Sequence, residues 1–326
     1  MQITNDSILK EQIMAGLKGR RKGHSFEAKI VERLNAIVSY AYEWTVADSQ
    51  TIFYGEPEKI LLNKMMQAFR WHKVISLKAY ATGRLATAEE GEKCLNIDGH
   101  PIKGSKSDLI VDMQNDSGER KIVGVSVKQC SNRTPTNAQV FFTTATAFYN
   151  LLQERGLVDE PRALVALKQF CGDEGFRPSD TGGCEGRIST PERFFWEETE
   201  PVGRAVLEKM FAAHQDEVTA LLLKKGYVDD PFPPSFIMHK TRSVVEGPDE
   251  IAMYSMEQFI KLSHQYASFH LSPYRVTKGR YKEPVGILHD APRFGVVQMQ
   301  RGGQKQHPTQ LQFNLKAGYF YDLAKF

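Results

Sequence analysis

The stretch Ser107–Cys130, SDLIVDMQNDSGERKIVGVSVKQC, constrains this chain more than any other. Side chains on a strand alternate between the two faces of a sheet. Read as a strand, Lys121–Gln129 places Val123, Val125 and Val127 on one face and Gly124, Ser126 and Lys128 on the other. The first face is core and the second is chemical. An earlier strand over Asp108–Met113 is joined to it by QNDSG, whose Asn, Asp and Gly favour a tight reversal. With the turn near Asp116 and Ser117, Asp108 falls opposite Val125 or Ser126, so its carboxylate and the Lys128 ammonium converge.

A carboxylate so placed can hold Mg2+, and a lysine beside it can orient a water and neutralise charge on a phosphate in transfer. These are the needs of phosphodiester hydrolysis. An ion pair on a surface hairpin accounts for the same two residues without chemistry, and both readings stand at this point.

The flanking periodicity supplies context. SFEAKIVERLNAIVSY carries Phe26, Ile30, Leu34, Ile37 and Val38 on one stripe, with Ser25 as an N-cap, and predicts an amphipathic helix. PEKILLNKMMQAFRW predicts a second helix, and KCLNIDG is a candidate strand. After the hairpin, NAQVFFTTATAFYNLLQERG predicts a helix ending at Gly156, and RALVALKQF a short buried strand.

Over about residues 25–170 this order of helix, strands with a hairpin, helix and strand resembles the PD-(D/E)XK nuclease superfamily, which includes type II restriction endonucleases. The resemblance implies an α/β fold with a mixed central sheet flanked by helices, and activity on double-stranded DNA with Mg2+. Asp108 matches the first metal-binding acid and Lys128 the lysine. Ser107 replaces the proline of the motif, and Ser126 stands where the second acid is expected. Asp112 shares a face with Asp108, but four residues of strand separate them by roughly 13 Å, too far for one ion. Glu27, at the edge of the first helix's apolar stripe, is the better second acid, since family members often draw one from this helix; a solvated helical glutamate is the alternative. Ser126 could hold a metal-bound water, and the Val127 carbonyl could supply a neutral oxygen.

Composition narrows the remaining classes. With 326 residues and 41% hydrophobic content the chain can bury a full core. It has no apolar run long enough to span a membrane and no signal-peptide pattern, and a cytoplasmic protein is expected. Four separated cysteines and scattered histidines support neither a disulfide framework nor a zinc site. The net charge of +3 is uneven: residues 271–326 carry +6, leaving about −3 on the rest. A basic segment of this kind suits nucleic acid, or merely a solvated face.

Within that basic segment, FGVVQMQRGGQKQHPTQLQFNLKAGYF alternates as a two-stranded ribbon. Val297, Met299, Leu311, Phe313 and Leu315 share one face; Gln298, Gln300, Gln310, Gln312 and Asn314 share the other. Amides of this kind can pair with adenine edges, and Arg301 and Lys305, in the connecting loop, can hold guanine or phosphate. The expected organisation is a nuclease core over residues 1–170 and a target-recognition region over 171–326, acting as a homodimer if its site is palindromic. A repair or junction-resolving nuclease on the same fold, and a DNA-binding module without catalysis, are the alternatives.

Overall fold

The computed structural model describes residues 24–83, 85, 94–130, 137–182, 192–226, 230–241, 249–276, 286–301, 309–316 and 318–325. In chain order these form helix α1 (24–35), β1 (Tyr40–Ala41), β2 (Ile52–Tyr54), α2 (Pro57–Phe69), β3 (Lys73–Ala81), β4 (Leu95–Ile97), β5 (His100–Ile102), β6 (Leu109–Asn115) and β7 (Arg120–Gln129). There follow β8 (Asn137–Thr144), α3 (Ala145–Glu154), α4 (Pro161–Cys171), α5 (Pro201–Ala213), α6 (Gln215–Lys224), β9 (Pro234–Thr241), β10 (Glu250–Ser255) and α7 (Met256–Tyr266). The chain ends with β11 (His270–Tyr274), β12 (His289–Phe294), β13 (Val297–Arg301), β14 (Gln310–Lys316) and α8 (Tyr319–Asp322).

The fold is α/β, and contacts divide it into two compact units along a line other than residue 170. One unit comprises residues 1–136, 224–260 and 317–326; the other comprises 137–223 and 261–316. The first contains a mixed seven-stranded sheet in the order β1-β3-β6-β7-β9-β10-β2. Its hairpin β6–β7 is antiparallel, with Leu109 opposite Val125, whereas β7 and β9 run parallel. Val123, Val125 and Val127 share a buried cluster with Ile30 and Leu34 of α1 and Leu61 and Met65 of α2. On the opposite face, Tyr254 of β10 packs edge-on against Phe259 of α7, and His239 of β9 stacks on Phe320 of α8. The central sheet is therefore flanked by helices on both faces.

The second unit holds a five-stranded sheet in the order β11-β12-β13-β14-β8. The expected ribbon is thus β13 and β14 inside a larger sheet. Its apolar face behaves as the alternation requires, with Val297, Met299, Leu311, Phe313 and Leu315 all buried.

Several local expectations are corrected. Residues 137–144 open the predicted helix as strand β8, because Val140, Phe141, Phe142, Thr143 and Thr144 favour a pleated surface and β14 offers a partner. The helix begins only at Ala145, where the Thr144 hydroxyl accepts the Ala147 N–H at 3.2 Å. RALVALKQF is helix α4, not a strand. Pro161 sits in its first turn, the Glu160 carboxylate accepts the Arg162 N–H, and Ala163, Ala166, Leu167 and Phe170 bury one helical stripe. In α1, Ser25 lies within the helix and not at its cap, and the helix ends at residue 35, so Val38 falls outside the stripe and is 86% exposed.

Candidate functional site

The hairpin ladder ends at Leu109 opposite Val125, and the site forms just beyond that last rung. The Asp108 N–H still donates to the Val125 carbonyl at 2.8 Å. Two residues further along β7, the Val127 N–H has no backbone of β6 to meet, and the Asp108 carboxylate takes its place. Asp108 Oδ2 accepts from Val127 N–H at 2.6 Å, from Lys128 Nζ at 2.9 Å and from Ser126 Oγ at 3.2 Å. Asp108 Oδ1 accepts no hydrogen bond among the described residues. Asp108, Ser126 and Lys128 are therefore brought together on the face that alternation assigned to them.

The segment before Asp108 is tightly held. Ser107 is buried and donates to the Phe232 carbonyl at 2.7 Å, a bond that a proline at this position lacks the hydroxyl to make. Its own carbonyl accepts the Thr82 hydroxyl, and the Asp108 carbonyl accepts the Thr82 N–H at 3.1 Å. Asp230 accepts the Lys106 N–H at 2.7 Å. Gly124, across the strand, is required by this closeness: a Cβ there would stand 2.2 Å from Ser107 Oγ and 2.4 Å from the Phe232 carbonyl oxygen.

Glu27 is buried on α1, whose neighbours Ile30 and Leu34 pack against the valine face. Its carboxylate lies against Gly83, just past the end of β3, where a Cβ would come within 2.6 Å of Oε2 and 3.0 Å of the His24 ring. Glu27 thus approaches the end of the sheet next to Thr82, itself bonded to Asp108. No group of three or more His, Cys, Asp or Glu side chains able to hold a metal occurs among the described residues. Asp112 is committed elsewhere, in a two-pronged pair with Arg120 at 2.8 and 2.7 Å.

Two neighbours of the site escaped the sequence reading. Lys106 is pushed down to about 8 by burial, then by the Lys128 ammonium, while Asp108 acts in the opposite direction. His239 lies beside Lys128 in the parallel register of β7 and β9. Burial, and secondarily Lys128, push its imidazole down to about 4, so it is neutral at physiological pH. Its Nδ1 is 3.1 Å from the Tyr321 hydroxyl. Nothing local in KGSKSD or SFIMHKT marks either residue, since a parallel pairing more than a hundred residues apart in sequence places His239 there.

The amide face in the second unit forms its own ladder. Gln300 Nε2 donates to Gln298 Oε1 at 3.1 Å, and Asn314 Nδ2 donates to Gln300 Oε1 at 3.0 Å. Gln310 and Gln312 pair with Thr144 and Phe142 of β8 and are partly exposed. Arg301 closes strand β13 and is not in the connecting segment; its guanidinium donates to the Phe194 carbonyl at 3.0 Å. Lys305 lies outside the described residues.

No protein-family model and no curated protein matches the sequence. Among solved structures, the chain is similar to the restriction endonuclease MspI in complex with its cognate DNA, at 10% identity and a TM-score of 0.43, over 79% of this chain and 78% of that one. No helix among the described residues is long and apolar enough to cross a membrane.

Proposed function

We propose that the protein is a Mg2+-dependent endonuclease that hydrolyses phosphodiester bonds of double-stranded DNA at a short specific sequence, as type II restriction enzymes do. The observation that carries this reading is the Asp108 carboxylate, held on one oxygen by Ser126, Val127 and Lys128, with no hydrogen bond to its other oxygen among the described residues. The Asp108 and Lys128 side chains are 22% and 23% exposed, so a phosphate can reach a pair otherwise enclosed by protein.

The donor chemistry fits a hard cation bound by one or two carboxylates and otherwise by water. Asp108 and Glu27 would hold it, with the Val127 carbonyl as a neutral oxygen. When bound, Mg2+ lowers the pKa of a coordinated water and offsets charge on the phosphate. Lys128 positions the Asp108 carboxylate and presents an ammonium to the scissile phosphate. Ser126 fixes the rotamer of Asp108 and can hold a water. Arg301, Lys305, Gln298, Gln300, Gln310, Gln312 and Asn314 are assigned to DNA contact, in a cytoplasmic protein that dimerises on a palindromic site.

Incubating the protein with plasmid DNA and Mg2+, then sequencing the product ends, tests this directly. Discrete ends at one short sequence are expected, and their loss on chelation. A second reading, a DNA-binding module without catalysis, is favoured by the serine at position 126 and by the ion pair that occupies Asp108 Oδ2. Retention of DNA with no cutting in any divalent metal would establish it instead.

A further inference from the structure

The second unit contains a polar cavity unrelated to the Asp108 carboxylate. Ladder pairing between β12 and β13 stops at Arg293 opposite Gln298. The next residue of β12, Pro292, has no N–H to continue it. Where further pairs would lie there is a cavity of about 300 Å3, lined by Ala291 of β12, by Gln298, Gln300 and Arg301 of β13, and by Arg193 and Tyr274. Phe170 and Val276 supply its apolar wall.

The polar wall is rich in donors. In the amide ladder both glutamine oxygens are engaged, which leaves the Gln298 NH2 and one hydrogen of the Gln300 NH2 without an acceptor among the described residues. Arg301 is held in place: it lies over the Phe195 ring at 4.5 Å and reaches the Phe194 carbonyl at 3.0 Å and the Tyr274 hydroxyl at 3.5 Å. Burial, and then the Arg301 charge, push Arg193 down to about 10, as expected for two guanidiniums sharing one enclosure.

A ligand for this cavity must accept hydrogen bonds along one edge and offer an apolar body to the other wall. A bare phosphate can meet the guanidiniums but offers no apolar surface to Phe170 and Val276. Adenine presents an amino donor to a wall already full of donors, whereas guanine presents two adjacent acceptors, O6 and N7. We propose that this cavity binds a guanine-type purine, its O6/N7 edge toward Gln298, Gln300 and the arginines and its ring against the apolar wall. The ring can come from a free nucleotide or from a base unstacked out of bound nucleic acid. The assignment does not depend on the Asp108 carboxylate being catalytic.

Calorimetric titration of the full chain with GMP, 7-deaza-GMP, AMP and inorganic phosphate, without divalent metal, tests the ring and its N7. GMP is expected to bind about tenfold or more tightly than the other three, and Gln298→Met to remove the preference with the melting temperature unchanged. The 7-deaza comparison needs no protein variant, so it stands even if Gln298→Met fails to fold. A parallel arm measures anisotropy of thymine-tract oligonucleotides carrying one guanine or one 7-deazaguanine. Preference for guanine in that arm alone identifies nucleic acid as the source and supports the proposal. Binding of all four small ligands within about twofold of one another, with no guanine preference among the oligonucleotides, would reduce the cavity to an anion site and overturn it. Absence of a guanine preference in both arms would overturn it too. Every readout is binding, so a failure of DNA cleavage leaves the result unaffected.

Discussion

Lys128 Nζ lies 2.9 Å from Asp108 Oδ2, the oxygen that also takes the Val127 N–H at 2.6 Å. The lysine therefore neutralises a carboxylate that the backbone has already oriented, so the two roles, charge and placement, separate by substitution. Lys128→Ala is expected to abolish cleavage and leave DNA affinity nearly unchanged, since one cation among many contributes modestly to binding. Gel-shift and plasmid-cleavage assays on the same preparation check this; cutting at the wild-type rate would remove Lys128 from the chemistry.

Glu27 and Ser126 compete for the part of the missing acid. Glu27→Gln keeps shape and deletes a negative oxygen, so Mg2+ affinity should weaken and cleavage fall by orders of magnitude, partly recovering in Mn2+. Ser126→Ala removes a neutral hydroxyl bonded to Asp108 at 3.2 Å and should cost far less. Normal cutting by the first variant and a dead second variant would reverse the assignment.

His239 makes stability depend on pH. Its imidazole titrates near 6.5 in the unfolded chain and about 4 in the fold. Between those values the unfolded state holds more protons, so the contribution is full above about pH 6.5 and is lost as pH falls toward 4, by on the order of 3 kcal/mol. Urea midpoints at pH 7 and pH 5 should fall further apart for the wild type than for His239→Gln. Equal shifts in both proteins would assign the pH dependence to other groups.

Gly124→Ala should be among the most damaging single substitutions in β7. The added Cβ meets the Ser107 hydroxyl and the carbonyls of Phe232 and Pro233 at 2.2, 2.4 and 2.7 Å, and two of these are backbone. A loss of about 1–3 kcal/mol in thermal or urea unfolding is expected. Ser107→Ala in the same chain should restore little of it, because the carbonyls remain.

The amide face is tested by Gln310→Ala with Gln312→Ala. Binding to the cleaved sequence should weaken by roughly 1–3 kcal/mol per lost base contact, with nonspecific binding unchanged. Competition against random duplex measures the difference, and equal loss on both would exclude base readout there.

The sequence by itself determined the hairpin, its register to within a residue, and which face of β7 carries Ser126 and Lys128, because a period of two leaves no other arrangement once the valines are buried. It also marked α2 and the apolar face of β13 and β14. It misread residues 137–144 and 162–170, where short apolar runs satisfy strand and helix alike. In these segments β14 offered a ladder to the first, and the Glu160–Pro161 start secured the second as a helix. Only the tertiary structure decided what surrounds Asp108. His239 arrives through a parallel strand pairing, and the low pKa of Lys106 through burial. Each depends on contacts between segments distant in the chain, to which local periodicity carries no signal.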